Sequence, residues 1–335
     1  MQTNKKFKLS STLITLTVVA VLYVLMILAV NLGFLNRSMT VLLVPISYYI
    51  VLAVSLNLVV GLLGELSLGH AGFMSVGAYG GAILSTALSE MIPQVWIRLP
   101  LCMIFGGLVA AVVGFVVGLP ALRLRGDYLA IVTLACGEII KDVITNLKFT
   151  GGAIGYYTDS IMVSSVGELL PYAGVLVLIT VAVMLNLKKS RHGRAIMAIR
   201  DNRIAAEAMG INITYYKLMV FVLAAFFAGC AGVLYAHNLS QIQAAKFGFN
   251  FSIEILVIVV LGGMGSVTGS IVAAVVLQLL PQVLREFDKY RMLIYSVVLI
   301  VVMILNANPK FNAWKGKLTW SNLFKKKKKE ATDHE

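Results

Sequence analysis

Charged residues are scarce in this chain. Only 13% of its 335 positions are charged, whereas 59% are hydrophobic. The helices of a soluble protein are rarely apolar all round, and this chain has many uncharged apolar stretches in series. The composition therefore excludes an ordinary soluble domain and predicts a polytopic helical membrane protein.

Residues that bind metals and nucleotides are also few. Cys102, Cys136 and Cys230 stand singly in apolar runs, and we interpret them as small buried hydrophobic residues. The four histidines form no HExxH or comparable ligand pair, so we expect no metal. The sequence also lacks a phosphate-binding loop (GxxxxGK followed by Ser or Thr) and a complete dinucleotide fingerprint. We therefore expect no cofactor, and energy for active transport would have to come from a partner or an ion gradient.

Long uncharged stretches recur along the chain, and most approach or exceed the ~20 residues that a helix needs to cross a bilayer. We expect an all-α polytopic membrane protein with about ten transmembrane helices (8–10) and both termini in the cytoplasm. The first stretch is too long for the core of a signal peptide, so we interpret it as a span. The expected spans are 10–35, 41–63, 66–88, 99–122, 127–147, 169–187, 216–236, 250–263, 266–284 and 292–308.

The stretch 250–284 is too long for one crossing, because a single helix of this length would measure ~52 Å. The glycines Gly262, Gly263 and Gly265 mark the expected break. Broken helices are tolerated where they line a water-filled cavity. Two short crossings fit this pattern, and so does one crossing followed by a re-entrant half-helix.

Lysine and arginine set the expected orientation. Lys5, Lys6 and Lys8 place the N-terminus in the cytoplasm. Alternating crossings then put 20 of the 28 basic residues on the cytoplasmic side, so the net charge of +13 reflects this bias and gives no reason to expect nucleic-acid binding. The expected regions are a cytoplasmic N-terminus (1–9), a transmembrane domain (10–308) and a lysine-rich cytoplasmic tail (309–335) next to membrane lipid.

Polar side chains lie among closely spaced glycines in the stretch 57–81. Tight helix packing explains the glycines by itself. A solute pathway explains the polar residues as well, because such a mixture suggests a turn at the membrane surface followed by a cavity-facing helix. The candidate pathway or gating residues are Asn57, Glu65, Ser67, His70, Tyr79, Glu138, Gly262, Gly263 and Gly265.

The charges of Glu138 and Lys141 are unusual because they fall within a predicted span. The two residues are three positions apart and therefore share a helix face. Ionisable groups inside a membrane tend to be paired and functional. Either the two side chains pair, which would be a structural role, or Glu138 faces the solute pathway.

The charged loop 188–215 connects two apolar stretches. Asp201 or Asn202 is placed to cap a helix that begins near Arg203, and Gly210 is placed to end it. The apolar face of this helix would consist of Ile204, Ala205, Ala208 and Met209. Such a helix suits insertion into a groove on another protein, or else it lies flat at the lipid interface.

Four motifs in this order resemble one family. They are Asn57–Gly81, with its Gly-Glu-Leu-Ser-Leu-Gly-His-Ala-Gly-Phe run, Arg125–Leu134, Ala205–Gly210 and Glu254–Ser266. Over residues 41–306 the chain resembles the branched-chain amino-acid ABC transporter permeases, specifically the Liv-type M subunit. It departs from that pattern after the last span, where Asn308–Asn312 replaces an Arg-Pro-Xaa-Gly-Leu run.

The resemblance implies an ABC importer permease fold in the cell (cytoplasmic) membrane and a transport subunit that is not itself an enzyme. Its implied partners are two ABC ATPase subunits, a second homologous permease and an extracytoplasmic solute-binding protein. The implied solute is leucine, isoleucine or valine, with urea or a short amide as the alternative. The residues implied to couple to the ATPase are Arg200, Asp201, Arg203, Ala205, Ala206, Glu207, Met209 and Gly210.

Two other classes of protein compete with this interpretation. An ion-coupled secondary transporter would use Glu138, Lys141 or Glu254 as a proton or sodium site. A membrane-embedded enzyme would need a nucleophile and a base, and the sequence shows no such pair.

Overall fold

Eleven α-helices make up most of the part of the chain that the structure describes. This computed structural model describes residues 11–34, 36–124, 126–163 and 165–284, together with the single residues 296, 297, 300 and 304. The helices are α1 (Ser11–Asn31), α2 (Arg37–Asn57), α3 (His70–Leu88), α4 (Val95–Ala121), α5 (Asp127–Asn146), α6 (Val166–Lys189), α7 (Arg191–Asp201), α8 (Arg203–Ala208), α9 (Ile213–His237), α10 (Phe249–Gly262) and α11 (Val267–Val283).

Short irregular elements join these helices. A π-helical segment, Leu58–Leu63, continues α2, and two 3-10 turns span Lys148–Thr150 and Ala244–Phe247. The strands β1 (Tyr156–Tyr157) and β2 (Gln241–Ile242) pair antiparallel, so the fold carries a two-stranded ladder that an all-α prediction did not include.

Six helices among the described residues are long and apolar enough to cross a bilayer, and this confirms a multi-pass helical membrane protein. They are Thr12–Asn31, Arg37–Leu63, His70–Leu88, Val95–Ala121, Val166–Lys189 and Ile213–His237. The predicted total of ten crossings and the orientation of the termini stay predictions. The predicted span 292–308 and the regions 1–9 and 309–335 lie outside the described residues, apart from the four single positions.

Three of the predicted spans differ from these six helices. The helix α5 has the length of a span, but it carries Asp127, Glu138, Lys141 and Asp142 and is therefore not apolar throughout. The helices α10 and α11, of 14 and 17 residues, are shorter than the ~20 residues of a typical crossing.

The close contact of α3, α4 and α9 forms the centre of the fold. A Cβ atom on Gly77 of α3 would lie 2.6 Å from the carbonyl carbon of Gly229 in α9. No side chain fits at such a distance, so the two backbones touch directly. Tight packing therefore explains Gly77, as one of the two sequence interpretations proposed.

Two predicted turns are present. After the π-helical segment, Gly64 adopts a φ of +78°, and the chain stays non-helical until α3 begins at His70. Between α10 and α11, Gly263 and Gly265 have φ values of +88° and +82°, which favour glycine. The break in the stretch 250–284 is thus where the glycines predicted it.

Residues up to Gln278 belong to one compact unit, and Leu279 begins a second. All contacts described below lie within the first unit. In the second, the structure describes the last turns of α11 and the four single positions.

Candidate functional site

Two short helices, α7 and α8, form the connection between α6 and α9. Ser190 caps α7 by accepting a hydrogen bond from the Gly193 amide at 3.1 Å. Ile196 and Ile199 of α7 are buried, so this helix is anchored on the rest of the chain. This helix was not predicted from the sequence, although the cap and the three-residue spacing of the two isoleucines could have indicated it.

The helix α8 follows immediately and has the predicted cap and stop. Asn202 accepts a hydrogen bond from the Ala205 amide at 3.0 Å, and Gly210 has a φ of +80°. Asp201, the alternative cap, instead accepts from the guanidinium of Arg200 at 2.9 and 3.0 Å. Both ends of α8 are therefore fixed by local hydrogen bonds and backbone geometry.

The outer surface of α8 is apolar and open. Ile204 and Met209 are each 81% exposed, and Ala205, Ala208 and Glu207 are exposed as well. Ala206 turns towards the protein and is buried, and Arg203 is partly buried. The predicted apolar face is thus not used for packing within the described chain, and it is available to another molecule.

Arg200 connects α7 to the π-helical segment. Its Nη1 atom donates to the carbonyl oxygen of Gly61 at 3.2 Å. Its side chain also lies against Gly64, where a Cβ atom would come within 2.5 Å of the Arg200 Cγ atom. Arg203 also points partly inwards, and its Nε and Nη1 atoms are buried without a hydrogen-bond partner in the described structure.

Glu65 forms a buried ion pair with Lys217 of α9. The side chains are 15% and 3% exposed, and the second carboxylate oxygen of Glu65 has no hydrogen-bond partner in the described structure. Lys217 lies in the second turn of α9, shortly after α8, so the pair ties the segment before α3 to the α7–α8 region. Sequence reasoning proposed Glu65 but missed Lys217, because the two positions are 152 residues apart.

Asn57 lies at the centre of a joint between α2 and the α10–α11 turn. Its Oδ1 atom accepts from the Gly265 amide at 2.7 Å. Its Nδ2 atom donates to the Ser266 carbonyl at 3.1 Å and to the Ser270 hydroxyl at 2.8 Å. Gly61 leaves the space for this arrangement, because a Cβ atom there would overlap the Asn57 Oδ1 atom and lie 2.7 Å from the Gly265 Cα atom.

The same joint contacts α6 and closes the α10–α11 hairpin. Lys188, at the end of α6, donates to the Gly265 carbonyl at 2.7 Å. Gly262 and Gly269 pack together so closely that a Cβ atom on Gly262 would lie 2.6 Å from the backbone of Gly269. Arg200 of α7 binds Gly61, so three elements meet at the π-helical segment: α6, α7 and the α10–α11 turn. We call the region formed by this meeting point and the adjoining helix α8 the α7–α8 face.

Glu138 and Lys141 form an ion pair on α5, as the structural alternative predicted. Glu138 also has a second partner that the sequence did not indicate, since its Oε1 atom accepts from the Phe249 amide at 2.7 Å. Phe249 is the first residue of α10, and its N-cap, Gly248, has no side chain. The carboxylate of Glu138 therefore takes the place of a capping side chain at the start of α10.

The remaining predicted pathway residues lie on α3 and in the non-helical segment that precedes it. His70, the first residue of α3, shares a 2.9 Å hydrogen bond with the Ser55 hydroxyl. Ser67 is buried, and the neighbouring Leu68 amide donates to the Thr133 hydroxyl at 3.0 Å. Tyr79 donates to the Ile242 carbonyl at 3.1 Å, beside the two-stranded ladder. Within the described residues, no hydrogen bond or ion pair joins these three side chains to Asn57 or Glu138.

No group of three His, Cys, Asp or Glu side chains with metal-site geometry occurs within the described ranges. Glu254, proposed above as an ion site, accepts a hydrogen bond from Gln278 at 3.2 Å. Of the three residues of the ion-coupled hypothesis, Glu138 and Lys141 thus pair with each other, and Glu254 is hydrogen-bonded to Gln278.

Comparison with known proteins gives a consistent result. The family model described as branched-chain amino acid transport system / permease component matches residues 38–306. The chain is 37% identical over 286 residues to the high-affinity branched-chain amino acid transport system permease protein LivM of Salmonella typhimurium, an alignment that covers 76% of this chain and 66% of the relative. It is 35% identical over 317 residues to LivM of Escherichia coli, covering 84% of this chain and 72% of that protein.

A second permease of Escherichia coli is also similar. LivH, whose name assigns it to the high-affinity branched-chain amino acid transport system as well, is 23% identical over 276 residues, covering 77% of this chain and 89% of LivH. No solved structure matches the chain.

Proposed function

The chain belongs to the branched-chain amino acid transport permease family, and we propose that it is the permease subunit of an ATP-driven ABC importer of leucine, isoleucine and valine in the cytoplasmic membrane. The observation that carries the proposal is the open apolar surface of α8. A capped helix that displays Ile204 and Met209, each 81% exposed, supports docking on another protein.

The alternative for α8, a helix lying flat on the lipid interface, fits less well. Membrane-surface helices combine a broad apolar face with a basic polar face. The helix α8 has only six residues, and the acidic Glu207 is exposed on it. A shallow groove on a protein matches this small mixed surface better. In this proposal the α7–α8 face is cytoplasmic, and the loop 188–215 docks on the ATPase.

The proposed assembly contains two ATPase subunits, a second homologous permease and an extracytoplasmic solute-binding protein. ATP hydrolysis belongs to the ATPase subunits, and this chain contributes the transmembrane passage. The occurrence of LivM and LivH in Escherichia coli under the name of one transport system supports a pair of unlike permeases.

The contacts at the α7–α8 face suggest how docking reaches the membrane helices. Movement of α7 would pass through Arg200 to Gly61, and from there through Asn57 to Gly265 between α10 and α11. Packed elements of this kind shift as units rather than deform continuously. We propose that this chain of contacts, rather than a solute contact, is the role of Asn57 and the glycines of the α10–α11 turn.

Glu138 plays a related part in the proposal. It holds the start of α10, while Asn57 holds the turn at the other end of the same hairpin through the Gly265 amide. The ion-coupled alternative would need a carboxylate that is free to exchange a proton or bind sodium. Glu138, Lys141 and Glu254 are all engaged, so the geometry favours the ATP-driven proposal.

Reconstitution of the complex in proteoliposomes tests the proposal. The variant Ile204→Glu places a charge on the docking face of α8, whereas Ile204→Met keeps that face apolar and serves as the matched control. We expect Ile204→Glu to abolish solute-stimulated ATP hydrolysis and leucine uptake without changing membrane insertion, and Ile204→Met to retain both. Equal activity of the two variants, or uptake of urea in place of leucine, would contradict the proposal.

A further inference from the structure

An apolar groove of about 680 Å³ opens between α4 and α6, with α9 as its floor. All three helices are among the six that can cross a membrane. The floor contains the buried side chains Phe227 and Cys230, whereas Ile104, Val175 and Ile179 on the walls are half exposed. A groove with such a lining is filled by hydrocarbon rather than by water, because water in it would find few polar partners.

The groove has one polar end. Trp96, in the first turn of α4, and Tyr172, in the second turn of α6, line this end together with Glu168. Trp and Tyr are enriched where the hydrocarbon core meets the headgroups. Along α6 the lining extends from Gly167 to Ile179, which is ~18 Å at the rise of a helix, close to the ~15 Å of one leaflet.

The polar end offers hydrogen-bond acceptors. In an α-helix the carbonyl of each residue normally accepts from the N–H group four residues later. The carbonyls of Trp96 and Gly167 lack this donor, because the residues four positions later are Pro100 and Pro171, which have no N–H group. All four of these residues line the groove. The exposed carboxylate of Glu168 lies beside them and forms no ion pair in the described structure.

We propose that this groove binds one acyl chain of a phospholipid whose headgroup carries an ammonium group, such as phosphatidylethanolamine. The ammonium supplies three N–H donors and a positive charge to Glu168 and the two carbonyl groups. An anionic phosphatidylglycerol headgroup would face the same carboxylate unfavourably. An apolar helix of a second subunit would leave these acceptors without donors, so the polar end favours a lipid.

Photolabelling of the complete transporter in nanodiscs tests the proposal. Two probes carry the same diazirine-bearing acyl chain, one on phosphatidylethanolamine and one on phosphatidylglycerol, and labelled peptides are mapped by mass spectrometry. We expect the first probe to label peptides 95–104 and 167–179 more strongly than the second. Glu168→Gln should lower this headgroup preference by about threefold, the effect of one partly exposed ion pair.

Steric variants separate a bound lipid from the general lipid surface. Val175→Trp fills the groove and should reduce labelling of both peptides several-fold, and Ile179→Trp tests the same point near the apolar end. Val116→Trp is the matched control, since Val116 is 62% exposed on α4 outside the groove, and it should leave the labelling unchanged. Equal labelling by both probes, unchanged labelling in both groove variants, or cross-linking of a photoreactive residue at position 179 to another subunit would overturn the proposal.

Discussion

Gly61→Ala is the substitution that most directly tests the joint at the α7–α8 face. The new Cβ atom would overlap the Asn57 Oδ1 atom and lie 2.7 Å from the Gly265 Cα atom. Because two of the groups it meets are backbone atoms of the α10–α11 turn, the turn has to move away from α2. The change should therefore break the contacts between Asn57 and the turn while leaving the lipid-facing surface unaltered.

The magnitude follows from what is lost. Overpacking costs ~1–3 kcal/mol, and each of the three Asn57 hydrogen bonds contributes ~0.5–1.5 kcal/mol. These terms sum to about 2.5–7.5 kcal/mol. Even the lower end of this range would lower the apparent Tm of the purified protein by roughly 5–10 °C. Under the proposed function, leucine uptake should fall further than protein abundance, since the joint also connects α7 to α10 and α11.

Gly80→Ala is the matched control, because the nearest atom to its Cβ would be a Val109 methyl group at 4.0 Å. It should be neutral or slightly stabilising, since alanine favours a helix over glycine. Tm is measured on detergent-purified protein by size-exclusion chromatography after heating. If Gly61→Ala and Gly80→Ala behaved alike, the reasoning about the joint would be refuted. In an Asn57→Ala background, Gly61→Ala should cost less than in the wild type, because one of its clashes is gone.

Three further predictions concern orientation and charge pairs. A cysteine at the exposed position His192 should react with an impermeant thiol reagent only in inside-out vesicles, and labelling of intact cells would reverse the proposed orientation. Glu138→Gln should lower thermal stability by ~1 kcal/mol, as expected for a half-buried pair, and adding Lys141→Met should partly restore it; no recovery in the double variant would argue against a structural pair. Lys217→Met leaves the Glu65 carboxylate buried and unpaired and should cost ~3–5 kcal/mol, whereas Lys217→Met with Glu65→Leu should regain much of the abundance. If Lys217→Met and the double variant Lys217→Met with Glu65→Leu were equally abundant, loss of the ion pair would not explain the effect of Lys217→Met.

Local patterns predicted those features that depend on neighbouring residues. Long apolar stretches correctly predicted six helices of spanning length, and Gly263 and Gly265 correctly predicted the break between α10 and α11. The cap at Asn202 and the stop at Gly210 were also predictable, because both act within one turn of their own helix.

Contacts between distant parts of the chain could not be predicted in this way. The Asn57 amide meets Gly265 across 208 residues, and the Glu138 carboxylate meets Phe249 across 111. Both partners are backbone amides, which carry no sequence signal. The π-helical segment that continues α2 could not be predicted from the sequence either, since Leu58–Leu63 has the composition of any apolar helix.

The joint and the helix α8 differ in how well their polar groups are satisfied. Every side-chain donor and acceptor of Asn57 has a partner, whereas Arg203 and Glu65 keep buried atoms without one in the described structure. Each such atom costs ~1–3 kcal/mol, so a rearrangement that supplies partners near α8 is favoured. A partner that stabilises the rearranged state shifts the population towards it by that difference.

We infer that α8 and the start of α9 rearrange when the ATPase docks, whereas the joint at Asn57 moves as a rigid unit. Hydrogen exchange tests this inference on the transporter with and without its ATPase subunits. Amides of 203–217 should become more protected on docking, and the amide of Gly265, which Asn57 holds, should stay protected in both states. Loss of protection at Gly265 when the ATPase is removed would show that the joint itself opens, and the transmission of movement through a rigid contact would then be wrong.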